Sequence, residues 1–384
     1  MNRLRRLRRD ESGMSYVFVG LGFMAFLSAS MLAIDVGMMM TARNQAQNSA
    51  DAGALAGATA LLVDDFNDRS PSGPAVTNAI AGAQVNTVMS GVVSVGPNDV
   101  TFPLDEAGQP TRVQVTVRRT TSRGNPLSTL IATFFGMPTA DVGAVATAEV
   151  SRANAMTCVK PFTIPDKWRE MQTPAWDVDD TYDAYDNKGV PLANPDIYVP
   201  ADQSGYTGYN QERERGTRLM LRAHNGNKIG PSMYFSYAIA GVTGASEYDW
   251  NIANCNTHIM HWGDPLLHEP GAMAGPTASG IQELIDKDPA AYWDDATNTI
   301  KNSRFGGRQS PRVFPIPLYD PIYYDSGVRN GRTADLKVAN WIGYFAESVS
   351  GYSIYGRIIP IGGIRDMSHP FPEGLNPKNL RLVQ

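Results

Sequence analysis

The sequence predicts an α+β protein: a single N-terminal transmembrane helix extending into a compact α+β domain, then a loop-rich, mainly-β C-terminal domain. Three observations carry this reading. Arg3, Arg5, Arg6, Arg8 and Arg9 precede a stretch, Gly13 to Ile34, that holds no charge. The helix signal runs on beyond it, since Met38 to Val63 contain no proline and Ala dominates from Thr41 to Ala60. Short alternating segments separated by turn residues follow, and after about residue 155 the texture shifts to Pro, Gly, Asn, Asp and aromatics.

At ~1.5 Å per residue the uncharged stretch covers roughly 33 Å, about one bilayer core. Arginines ahead of it keep the N-terminus in the cytoplasm and place the rest outside. A cleaved secretory signal needs an apolar region of only ~7–15 residues before a small-x-small exit site. Ser28-Ala29-Ser30 offers such a site, but the apolar run continues through Ile34 and resumes as Val36-Gly37-Met38-Met39-Met40. Retention as an anchor is the expectation. A prepilin-type leader, cut after Gly13, would want Glu where Phe18 stands, so that processing is not expected.

Beyond the first eleven residues, 28 basic side chains face 36 acidic ones. An exported portion this acidic lacks the electrostatic footprint of a nucleic-acid binder. Cys158 and Cys255 are the two cysteines. In an oxidising compartment they can pair and stabilise the chain by ~4 kcal/mol; the alternative is two buried thiols.

The spacing of small residues is as informative as the helix propensity. Ala42, Ala46, Ala50, Gly53, Gly57 and Ala60 project within a band of roughly 80° at ~100° per residue. Ala25, Ala29, Ala33 and Gly37 repeat every fourth residue in the apolar stretch. Such spacing lets helix backbones approach closely, so the helix is expected to pack against its own domain or a neighbouring helix. Asp64-Asp65 and Arg69-Ser-Pro-Ser-Gly-Pro74 end it with turn chemistry. A second helix is expected over Val76–Ser90, strands over Val92–Val95, Val100–Leu104, Arg112–Arg118 and Asp141–Ser151, and an apolar helix from Leu127 to Phe135 stopped by Gly136. Farther on, strands are expected at Leu219–Ala223, Met233–Ala240, Arg312–Pro317 and Tyr355–Ile361, with helices at Gly280–Lys287 and Lys337–Glu347.

Arg9-Asp-Glu-Ser-Gly13, Leu32-Ala-Ile-Asp-Val-Gly37 and Asn48-Ser-Ala-Asp-Ala-Gly-Ala-Leu-Ala-Gly57 together resemble the N-terminal segment of TadG-like proteins. These belong to the TadE/TadG group of the tight-adherence (Flp pilus) machinery. Gly53 stands where that pattern usually has Ala. The strong match covers about Arg8 to Leu62, and Cys158–Trp168 and Glu269–Thr277 are similar to segments of longer TadG-like proteins. The resemblance implies a pilin-like α+β domain and a role in pilus assembly, and it brings no catalytic motif. Under it the expected organisation is a cytoplasmic basic segment 1–12, a transmembrane helix 13–40, a pilin-like domain 41–155 and a periplasmic domain 156–384. Leu at Gly53 and Gly57 is then expected to impair piliation without unfolding the protein.

Candidate chemistry is sparse. Asp177, Asp179, Asp180, Asp183 and Asp186 can supply hard oxygens to Ca²⁺, with Asp177, Asp179 and Asp183 the nearest to a ligand set. Tyr182 occupies the place where an EF-hand loop needs Gly, so a solvated acidic loop is preferred. His258, His261 and His268 with Glu269 invite a zinc reading, but Trp262-Gly-Asp-Pro265 breaks any helix that would align them. Gly-x-Ser-x-Gly, His-Glu-x-x-His, phosphate loops and dinucleotide fingerprints do not occur. Asp202-Gln-Ser-Gly-Tyr206 departs from a metal-dependent adhesion motif at Tyr206. Tyr198, Tyr206, Tyr209, Tyr319, Tyr323 and Tyr324 read equally as loop contact residues or as core.

The expected function is an inner-membrane, single-pass component of Flp (Tad) pilus assembly, acting through protein–protein contacts in the periplasm. No enzyme activity, cofactor, metal, small-molecule substrate or nucleic acid is expected. The alternative is an anchored extracellular hydrolase, or a ligand- or Ca²⁺-binding adhesin, with its site in the C-terminal domain.

Overall fold

The computed structural model describes residues 12–64, 67–105, 108–172, 176–177, 179–186, 188–329 and 335–383. The arginine cluster and Asp65 lie outside the described residues. The chain divides into two compact units, one running to Glu149 and taking back the chain end from Leu380, the other Val150–Asn379. Together they form an α+β protein with a β-rich C-terminal region.

In the first unit, helix α1 (Ser12–Val63) is followed by α2 (Pro74–Gln84) and strands β1 (Thr87–Val88), β2 (Gly91–Val92), β3 (Val100–Thr101), β4 (Arg112–Arg119), β5 (Leu127–Ser128), β6 (Thr139–Ala140) and β7 (Val142–Arg152). Pro74 starts α2, where its missing N–H costs nothing. Val113, Val115 and Val117 alternate inward on β4, which pairs antiparallel with β7 through Val115↔Ala146. The final strand, Lys378–Val383, lies beside β7 in a four-stranded sheet. Its Arg381 meets Glu149 at 3.0 Å, while Arg112 holds the same carboxylate at 2.9 Å. The helix expected over Leu127–Phe135 is instead a hairpin. β5 pairs with β6, and only Ala132–Phe135 makes a 3₁₀ turn, ended by Gly136 at φ 81°.

The second unit contains β8 (Ala155–Met156), β9 (Phe162–Pro165), β10 (Arg218–Ala223), β11 (Met233–Ala238), α3 (Ala245–Ala253), β12 (Met260–His261), β13 (Pro265–His268) and α4 (Ala274–Lys287). It continues with β14 (Tyr292–Asp294), β15 (Thr299–Lys301), β16 (Val313–Tyr319), α5 (Pro321–Arg329), β17 (Leu336–Ser350), β18 (Ser353–Ile359) and the start of β19 (Lys378–Val383). Six of these strands close on themselves. β10 pairs with β18, β18 with β17, β17 with β16, β16 with β9, β9 with β11, and β11 with β10 again. Side chains from all six meet in one buried cluster, among them Phe162, Leu221, Tyr234, Ile316, Tyr344 and Ile358, and α3 and α4 add Ile252 and Leu284.

The helix expected at Lys337–Glu347 is corrected by this arrangement, because the segment is β17. It is buried from Val338 to Ala346 and hydrogen-bonded to strands on both sides. A run apolar on both faces has neither helical nor strand periodicity, and here the closed sheet decides. Cys158 and Cys255 form a disulfide across 97 residues of sequence.

Candidate functional site

The small-residue band of α1 is buried in its own domain. Ala42, Ala46, Ala50 and Ala60 are all at most 2 % exposed. A Cβ on Gly57 would lie 2.9 Å from Ala79 Cβ, 2.9 Å from Val113 Cγ1 and 3.0 Å from the Ala75 carbonyl oxygen. On Gly53 it would meet the Ala79 carbonyl and Ala83 Cβ, each at 2.9 Å. From the other side, a Cβ on Gly82 would strike Ala56 Cβ at 2.6 Å. The two helices cross on glycine and alanine, and Ser49 seals the contact by donating to the Ala83 carbonyl at 2.5 Å. Leu at Gly53 or Gly57 therefore collides with the domain's own helix and sheet. The expectation that such variants stay folded does not survive this geometry.

Toward the N-terminus the same helix is bare. Phe18, Phe23, Phe26 and Leu32 are each more than 60 % exposed, and a Cβ on Gly20, Gly22 or Gly37 would meet open space. Gly13–Val63 is long and apolar enough to cross a membrane, and none of its most apolar window is buried in the protein.

Asp35, the first charge after the apolar stretch, stands where bare helix becomes packed helix. Its carboxylate is 2 % exposed and accepts N–H bonds from Leu130 at 2.8 Å, Ile131 at 3.0 Å and Ala132 at 2.6 Å. Three converging backbone donors suit a carboxylate, whose two oxygens accept all of them. They also occupy the N–H groups that open the 3₁₀ turn, which holds the hairpin tip against α1. Leu130, Phe134 and Met137 project from that tip into the open.

The candidate chemistry of the second unit is largely absorbed by structure. Asp177, Asp179 and Asp183 do not share a cation cage. Asp177 and Asp183 accept local bonds from Asp179 N and Thr181 Oγ1, and Asp179 pairs with Arg222. His258 sits in an exposed loop, His268 stacks edge-on to His224, and Glu269 accepts the Gly244 N–H. Tyr198, Tyr209, Tyr319 and Tyr324 are core, Tyr206 is half-buried and Tyr323 is exposed. A cleft of about 380 Å³ has Asp202, Asp320 and Lys337 in its wall. Asp320 pairs there with Lys337 at 3.4 Å and caps α5 through Tyr323 N.

Strongly perturbed groups often mark reactive sites, but two of them here are enclosed. Burial pushes Asp166 up to about 7, against bonds from Tyr206, Tyr209, Lys167 and Tyr198 that favour the anion. Burial likewise brings Lys160 down to about 7, while its ammonium donates to the Ile252 and Asn254 carbonyls at the end of α3. Sequence reasoning missed both, because their partners lie in distant segments.

Fold and clasp together define a protein built on one long N-terminal helix, apolar and bare over its first half and a domain's core over its second. Residues 13–60, which are that helix, match the model of the Flp pilus-assembly TadE/G-like family, Tad. The N-terminal segment is thus similar to TadE/G-like proteins, and the matched residues end where the buried small-residue band ends. No curated protein and no solved structure matches the chain.

Proposed function

We propose that the protein is a single-pass component of Flp (Tad) pilus assembly that works by protein–protein contact and catalyses no reaction. It sits in the inner (cytoplasmic) membrane with its N-terminus in the cytoplasm and its bulk in the periplasm. The observation that carries the reading is the change along α1 from an uncovered apolar surface to one packed at Ala42 and beyond, within the TadE/G-like segment. Water does not tolerate a continuous apolar cylinder of that size, so lipid or other helices cover it.

The Asp35 clasp extends the same logic. With its charge satisfied by the hairpin, the next charged side chain on the helix is Arg43, roughly 12 Å farther along at ~1.5 Å per residue. Leu130, Phe134 and Met137 sit at this level and supply the domain with a second apolar contact to the membrane surface. The small-residue stripe Ala25, Ala29, Ala33 and Gly37 stays open for neighbouring helices of the pilus base or filament.

Two measurements test this. Alkaline extraction of membranes should leave the full chain in the pellet; release into the supernatant would refute the anchor. In-membrane crosslinking from residue 29, followed by purification, should recover other Flp/Tad components, and recovery of none would sink the assembly role.

A further inference from the structure

His261, Asp366 and His369 converge in the second unit, away from everything assigned above. Their ligand atoms all lie within 4.8 Å of one another, and among the described residues no other group of three or more His, Cys, Asp or Glu does so. His261 Nε2 is 2.9 Å from Asp366 Oδ2, and His369 Nδ1 is 3.1 Å from the same oxygen. The two imidazoles are stacked, 3.7 Å between centroids and 13° from parallel, and each sets one nitrogen beside Asp366 Oδ2. Donors about 2.0–2.2 Å from a tetrahedral cation stand roughly 3.3 Å apart, and the two histidine–carboxylate separations, 2.9 and 3.1 Å, lie near that value.

The surroundings hold the three side chains in place. Asp366 Oδ1 accepts the Ser368 N–H at 2.9 Å and the Ser368 hydroxyl at 2.6 Å, leaving Oδ2 for the histidines. Asn154, fully buried, connects both sides of the group. Its amide donates to the carbonyls of Asp366, His369 and Pro370, and its Oδ1 accepts the Asp366 N–H. Its backbone carbonyl accepts from Trp262 N, next to His261, while His261 itself is paired with Ala155 through β12 and β8. Backbone bonds between Ala155 and Ile364 fix the loop that carries Asp366. Asp264 Oδ2 accepts the His261 N–H and lies 3.7 Å from His261 Nδ1, a second carboxylate beside that ring.

We propose that His261 Nε2, Asp366 Oδ2 and His369 Nδ1 form a binding site for a divalent first-row transition-metal ion, zinc foremost. Two imidazoles and one carboxylate suit Zn²⁺ and are too few oxygens for Ca²⁺ or Mg²⁺. The ion replaces the imidazole protons that otherwise face Asp366. With Asp366 and His369 on the accessible side, the remaining coordination position is open to water.

The test uses the full chain in detergent micelles, stripped with a chelator and titrated with ZnCl₂ by calorimetry. One ion per chain with a micromolar or tighter Kd is expected. Asp366→Asn and His369→Ala should each weaken binding at least tenfold, whereas His258→Ala should not change it. Cobalt(II) supplies a second readout, the visible bands of a tetrahedral ion, in case a variant is less stable. Absence of zinc binding by the wild type up to about 1 mM, or binding undiminished in both Asp366→Asn and His369→Ala, overturns the proposal.

Discussion

Replacing Gly57 with Leu tests whether the small-residue band belongs to the domain or to an assembly partner. The Cβ alone would come within 2.9 Å of two carbons and 3.0 Å of a carbonyl oxygen, all from α2 and β4. Ordinary carbon contacts are ~3.5–4.0 Å, so even Ala requires α2 to retreat by roughly 0.6 Å. Overpacking costs ~1–3 kcal/mol, and the gain in helix propensity over Gly offsets about 1 kcal/mol of it. Leu adds three further carbons to the same point, so a net loss of about 3 kcal/mol is expected, near the upper end of that range. All six tryptophans lie between Trp168 and Trp341, so fluorescence follows only the second unit. Amide hydrogen exchange in α2 reads the first, and its protection should fall about a hundredfold. Gly37→Leu, with no atom near its Cβ, is the control and should leave α2 unchanged. Unaltered exchange in Gly57→Leu together with lost pilus assembly would refute own-domain packing and return the band to a partner chain.

Asp35→Ala leaves three backbone N–H groups without their acceptor, which costs about 2–4 kcal/mol locally; faster exchange at Leu130–Ala132 is expected, and none would show that the clasp is not formed. Serine at Cys158 and Cys255 removes a link across 97 residues and should destabilise the second unit by about 4 kcal/mol, seen as a lower urea midpoint in tryptophan fluorescence. An unchanged midpoint would mean the pair contributes nothing. Burial pushes the Glu149 carboxyl up, but bonds from Arg112 and Arg381 outweigh it and hold it below its ordinary value of 4.5. The contribution is therefore present above about pH 4.5 and lost as the pH falls through the lowered value. Glu149→Gln should flatten this acid limb in the first unit's exchange profile; identical profiles would remove Glu149 as its source.

Much of the first unit was readable residue by residue. The Ala/Gly band and the alternation on β4 and β7 obey local rules, because each has one face inside and one outside, whereas the helix expected over Val76–Ser90 ends at Gln84 and Thr87–Val88 turns back to pair with Gly91–Val92. The failures came where that condition did not hold. β17 is apolar on both faces, so its pattern could not separate strand from helix. The Leu127–Phe135 segment has helix-like composition, but Asp35, nearly a hundred residues upstream, takes its first N–H groups and β6 takes its start. The tyrosines among Gly and Pro read equally as contact residues or as core, and only tertiary packing shows that Tyr198, Tyr209, Tyr319 and Tyr324 are core. His261 was weighed with its sequence neighbours His258 and His268, whereas its partners in space are Asp366 and His369.

By itself the sequence determined one long N-terminal helix, apolar and uncharged first, then small and tightly spaced, and with it the similarity of that segment to TadE/G-like proteins. Both follow from period and composition along a single helix. Tertiary structure alone decided what the small residues touch, where the Asp35 charge goes, and which histidines meet. Those outcomes depend on segments far apart in the chain, brought together by sheet closure and by buried polar groups that must find partners.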